Sequence, residues 1–357
     1  MLLGHTSSWL DPRDLATTTF RASCSLLKSI APVDDSAVPF FSGTMDYWAM
    51  LLVYLTDSHQ LGDYRPTFTS PFGPMNPATA IHPHPYSGIS HDIVKILTET
   101  GILIFQYRKH MSRTKFIAER DLDVFRAALR EARQLERVLL AHHAPDLSRV
   151  KDLGDPKTPL GHLGLIDEAY RCTGLLQLYR VFPDLLNERY SPWSRETLLQ
   201  PLPAEKIPTT AERQAWLTEL ALHVVGILRS IPFESRTLSA QPFIMVSVAS
   251  ELRVDDPYCY SPSPHTTGGL HLDSSGEAEA GIVEESLAVV GSTAIEAAQA
   301  RKFVSSRLGA YKHILPLRKS KVIFELVDRV WSALDAGKQD VYWLDVALEN
   351  NLGTMMG

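Results

Sequence analysis

Cysteine is scarce in this 357-residue chain, which has only Cys24, Cys172 and Cys259. No two are close enough for a Cys-x-x-Cys pair. That spacing argues against a disulfide framework and a cysteine-rich zinc site, and favours a reducing compartment. Long apolar runs are missing as well. Stretches such as Ala49-Met-Leu-Leu-Val-Tyr-Leu55 fall far short of the roughly 20 residues that span a bilayer, so no membrane partner is expected. Positive charge is in deficit: 35 Lys and Arg against 41 Asp and Glu leave a net charge of −6. Without a basic field these residues do not hold nucleic acid by electrostatics. The chain also lacks a Gly-x-Ser-x-Gly elbow, a His-Glu-x-x-His helix, a Walker loop and a Gly-x-Gly-x-x-Gly turn. Its first residues lack the basic, apolar and small-residue regions of a signal peptide. The expectation is a chain with no catalytic, cofactor-binding or metal-ligating residues and no resident cofactor.

What the chain does have is helical periodicity, punctuated by proline. Asp11-Pro12 offers a cap and a first-turn proline to a helix carrying Leu15, Leu26, Leu27 and Ile30, with Pro32 as its stop. Thr44 to Leu61 places Trp48, Leu51, Leu52 and Leu55 on one stripe and ends at Gly62. Residues 63–88 are too rich in proline for a helix or an interior strand. Ser90 then caps a helix bearing Ile93, Ile96, Leu97 and Ile104, with Asp92 near its positive end and Arg108, Lys109 and His110 near its negative end. Phe116, Leu122, Phe125, Leu129, Ala132, Leu135 and Leu139 recur at helical steps, predicting an element about 35 to 40 Å long. Its other face, from Arg126 to Arg137, reads as solvated.

A proline-bounded connector from Pro145 to Pro159 leads to a helix with Ile166, Ala169, Tyr170, Leu176 and Tyr179, stopped by Pro183. Thr209-Thr-Ala-Glu212 is a capping box ahead of Trp216, Leu220, Val224, Ile227 and Leu228, and Pro232 closes that helix. Gln241 to Leu252 fits a strand or a buried helix by periodicity, and its helical neighbours favour the helix. Residues 253–285 carry seven acids against one arginine, with too little apolar area to offset ordering, so a disordered insertion is expected. Further helices are expected at Leu287 to Leu308, Lys319 to Leu334 and Val341 to Asn350. No fixed-period repeat and no alternation of strands is visible. The fold class is therefore all-α: one large domain of about nine or ten helices with proline-rich connectors. The divisions are an N-terminal helical segment at 1–39, a helical domain at 40–350 interrupted by the 253–285 insertion, and a flexible tail at 351–357.

Individual side chains have plain first readings. Proline-flanked His82 and His84, with His91 and Asp92, read as loop-surface residues before they read as metal ligands. His142-His143 would complement a helix dipole. Asp167 and Glu168 are adjacent on a helix and point apart, so they form no acid/base pair, whereas Glu168 and Arg171 are spaced for an ion pair. Tyr170 and Tyr179, nine residues apart, pack between helices in the first reading. In the second, together with Tyr86, they line a cavity for a small apolar effector.

Several of these segments, taken in order, resemble a known family. They are His84-Pro-Tyr-Ser-Gly-Ile-Ser90, Glu168-Ala-Tyr-Arg171 with Leu178-Tyr-Arg180, Pro242-Phe-Ile-Met-Val-Ser-Val-Ala-Ser-Glu251, and Val330-Trp331 with Trp343-Leu344-Asp345. Over residues 40–350 the chain resembles the fungal-specific transcription factor domain, the regulatory domain that follows the zinc cluster of Zn2Cys6 transcription factors. The resemblance implies a nuclear regulator of gene expression, with a metabolic or biosynthetic gene set as its target. It also implies input from a second copy, from other regulators or from a small-molecule effector. The family's cysteine-rich cluster and basic linker do not occur in these residues, so DNA would be reached only through a module not present here or through a partner. Either the chain is part of a longer product or it acts without binding DNA itself. Two other readings stand beside this one: an all-α biosynthetic enzyme with a pocket between helices, and a non-catalytic interaction scaffold.

Overall fold

The computed structural model describes residues 2–30, 38–64, 81–84, 90–152, 154–186, 208–254, 279–314 and 317–356. Eleven α-helices and no strand occur among them: α1 (Leu2–Leu10), α2 (Thr17–Ile30), α3 (Val38–Val53), α4 (His91–Arg113), α5 (Glu119–Ala141), α6 (Leu160–Val181), α7 (Thr210–Arg229), α8 (Gln241–Ala249), α9 (Glu279–Ala310), α10 (Leu317–Asp335) and α11 (Trp343–Glu349). The only pairing outside helices among these residues is one isolated parallel bridge between Ile81 and Val150. Pro32, Tyr86, most of the 63–88 and 184–208 segments and residues 255–278 of the expected insertion lie outside the described residues.

Local chemistry accounts for several of the boundaries. The Ser90 side chain accepts from the Ile93 amide, and Asp92 occupies the first turn of α4. Both satisfy the positive end of the helix. Thr209 and Glu212 close the expected capping box: Glu212 N–H reaches Thr209 Oγ1 at 3.2 Å and Thr209 N–H reaches Glu212 Oε2 at 2.7 Å. Gly62 adopts φ +60° after the short 3-10 turn Ser58–Leu61, the left-handed conformation a glycine takes most cheaply.

Some boundaries differ from the sequence reading. The α2 helix begins at Thr17 rather than just after Asp11-Pro12. A separate helix, α1, precedes it, and Gly4 seats that helix on Trp48: a Cβ there would stand 2.0 Å from the indole. The α5 helix starts at Glu119, which leaves Phe116 outside it and 89% exposed. The α9 backbone is helical from Glu279 onward, inside the segment read as an insertion.

At the centre stands α6, with every residue from Ala169 to Val181 buried. A helix buried all round has no solvent face. It packs against α4, α5, α7 and α8, and one continuous apolar cluster links α2, α3, the central helices and the C-terminal pair α10–α11. The α8 segment Gln-Pro-Phe-Ile-Met-Val-Ser-Val-Ala is buried along its whole length. This settles the strand-or-helix alternative, since a short apolar run carries no period that could decide it.

Candidate functional site

Because α6 is surrounded, its polar side chains must find protein partners, and the partners come from α5, from α7 and from the segments that flank α8 and α11. At its N-terminal half, Asp167 takes a 2.8 Å contact from His142 Nε2, with both side chains buried. His142 is therefore a buried partner of a carboxylate, in addition to capping the end of α5 as the sequence position suggests. Glu168, next in the chain, turns to the other side. Its carboxylate accepts from Arg171 Nε at 2.8 Å and Nη2 at 2.5 Å, the ion pair expected from the i, i+3 spacing.

Cys172 joins that pair. Its Sγ lies 3.4 Å from Glu168 Oε1 and 3.7 Å from Arg171 Nη2. Burial pushes the Cys172 thiol well up, outweighing the nearby Arg171 charge. Burial also works against ionisation of Glu168, but the Arg171 hydrogen bonds and charge prevail and hold its carboxyl below the usual range. From α7, His223 approaches the same point. Burial lowers its pKa, Glu168 opposes that shift, and Arg171 reinforces it. One nitrogen of His223, Cys172 Sγ and one Glu168 oxygen all lie within 4.8 Å of one another.

Tyr170 is fully buried, donates to Ala240 O at 2.9 Å and stacks on Phe243. Tyr179 donates to Glu136 Oε1 at 2.7 Å and meets Trp216 edge to face. The two hydroxyls thus serve different helices and are not brought together, and Tyr86 lies outside the described residues.

At the far end of α6, Arg180 is inserted between three segments. It meets Glu251 at 3.5 Å, Asp340 at 3.0 Å and the Val341 carbonyl at 2.7 Å. Gln177 Oε1 accepts from Tyr342 and from Trp343 Nε1, which ties the C-terminal segment to the same helix. Arg213 of α7 donates to the Tyr179 and Arg180 carbonyls at 3.1 and 2.5 Å and so caps the end of α6.

Two surface cavities flank this centre. One of about 680 Å³ lies between the end of α4 and α11, lined by Phe105, Arg108, Lys109, Met111, Leu344 and Leu348 among others. Two of its cations are engaged, Arg108 with Asp345 and Lys109 with Asp57. The other, about 470 Å³, lies between α4 and α5 beside Glu99, Arg130 and Glu131. Neither is lined by Tyr170 or Tyr179.

His82 is exposed, as the surface reading has it, whereas His84 departs from that reading and His91 is half-buried. His84 is 3% exposed, with Nε2 3.0 Å from the Gly43 carbonyl and its ring 4.8 Å from His91. Burial drives its pKa down to about 3. No sequence signal separates it from exposed His82, since both are flanked by proline.

A family model described as a fungal specific transcription factor domain matches residues 1–357. Neither comparison with curated proteins nor comparison with solved structures gives a match.

Proposed function

The chain belongs to the fungal specific transcription factor domain family, and from that premise we propose that it is the helical regulatory domain of a nuclear regulator of gene expression, not an enzyme. The carrying observation is that the family match extends over the whole chain. The net charge of −6 supports assigning DNA recognition to a module outside these residues or to a partner. Its input is contact with that module, self-association or a small effector, and its output is a change in transcription of a gene set.

The test is to tether the chain to a heterologous DNA-binding module upstream of a reporter and to follow a fluorescent fusion of the chain in a fungal cell. A several-fold change in reporter expression together with nuclear accumulation is the expected result. A stable, well-expressed fusion that leaves the reporter at baseline and stays outside the nucleus would overturn the reading.

A further inference from the structure

We propose that Glu168, Cys172 and His223 form a binding site for a thiophilic divalent cation of the Zn2+ class at the edge of the α6–α7 contact. The site goes beyond the transcriptional reading and does not depend on it. Glu168 and Cys172 are four residues apart on α6, one above the other on the same face, and His223 enters from α7. Their ligand atoms lie within 4.8 Å of one another, close enough for small side-chain adjustments to surround one ion. One sulfur, one imidazole nitrogen and one carboxylate oxygen are the three ligand types that Zn2+ accepts, and a water supplies the fourth position of a tetrahedron.

The surroundings suit the assignment. Cys172 is fully buried, while Glu168 and His223 are partly exposed, so the sulfur lies at the bottom of the site and the other two ligands face the route from solvent. A neutral imidazole and a thiolate are the forms that ligate a metal, and a cysteine ordinarily carries its proton near neutral pH. Binding therefore breaks the Cys172 S–H bond, releases that proton to solvent and forms the sulfur–metal bond. The thiolate and the Glu168 carboxylate then balance the two charges of the cation. Arg171 is the competitor, since its guanidinium holds both Glu168 oxygens and must yield one to the ion.

Cobalt provides the probe. Titrating the purified full chain with Co2+ should give thiolate-to-cobalt charge-transfer absorption that saturates near one equivalent, is displaced by Zn2+, and is accompanied by release of about one proton per ion. Cys172→Ser should abolish the band. His223→Ala, at a half-buried position that is easier to vary, should weaken binding by at least the roughly 10–100-fold that loss of a supporting group costs a metal site, with helix content unchanged by circular dichroism. Arg171→Gln should tighten binding, and an affinity that does not rise would overturn the competitor role given to Arg171. The site itself is overturned if the wild-type chain shows no charge-transfer band, if the band survives in Cys172→Ser, or if folded His223→Ala binds as tightly as the wild type.

Discussion

Single residues in this protein are governed by whether burial leaves them a partner, and His84 shows the consequence for pH. Its imidazole is neutral in the fold, with a pKa of about 3 against an ordinary 6.5, so between those values the unfolded chain binds a proton that the native state does not. Stability must then rise with pH across that window and fall on acidification. His91, whose ring faces His84, is shifted in the same direction by burial. Around the pair, Lys95 lowers both histidines, the His82 backbone, Asp46 and Asp92 work against the shift of His91, and burial raises the Asp46 carboxyl despite the Tyr64 hydrogen bond. A raised carboxyl takes up protons in the fold and gains stability on acidification, which opposes the histidines as the pH nears the carboxylate range. The histidine slope is therefore cleanest between about pH 6.5 and 5, where one such group contributes about 1.4 kcal/mol per pH unit. Urea denaturation at pH 7, 6 and 5 should show a falling midpoint, and His84→Gln, which can still donate to the Gly43 carbonyl, should flatten the fall. A midpoint that does not move with pH in the wild type would show that His84 is not held neutral.

At the scale of elements, glycine position separates close helix approach from open surface. Gly101 of α4 faces α3 so closely that a Cβ would stand 2.6 Å from Val53 Cγ2 and 2.7 Å from Tyr54 Cε2. Gly226 of α7 has nothing within 4 Å. Alanine favours a helix interior over glycine by about 1 kcal/mol, whereas overpacking a core costs about 1–3 kcal/mol. Gly101→Ala should therefore destabilise the protein, and Gly226→Ala should stabilise it by about 0.5–1 kcal/mol. Thermal or denaturant unfolding checks both signs, and equal effects from the two substitutions would mean that α4 does not approach α3 as described. Element boundaries were legible in the sequence wherever a side chain caps a backbone end, as at Ser90 and Thr209. They were less legible where tertiary contact alone holds the turn. The α1 helix carries no cap signal, and Phe116, whose spacing extends the apolar stripe of α5 backward, stays outside the helix.

For the molecule as a whole, the decisive contacts join segments far apart in the chain. Arg180 holds the end of α6 to Glu251 after α8 and to residues 340–341 before α11, with Arg180 and Glu251 both almost fully buried. Removing one partner of a buried pair strands a charge and costs about 3–5 kcal/mol, while removing both together costs far less. Arg180→Met should thus lower stability by that order, and Arg180→Met with Glu251→Leu should recover part of it. A double-mutant cycle in urea measures the coupling, and strictly additive effects would show that the pair is not coupled. The amino-acid sequence by itself determined that this chain is all-α, where most of its helices begin and end, which faces are apolar, and which family it resembles. Those properties follow from caps, prolines and a period of 3.6 residues, all of which act within a few residues of chain. Only the tertiary structure decided which helix each apolar face meets. It alone put His223 beside Cys172, buried His84 against Gly43 and joined Asp167 to His142. Periodicity states that a face must be covered, whereas the partner that covers it depends on packing between segments whose separation in the chain leaves no local trace.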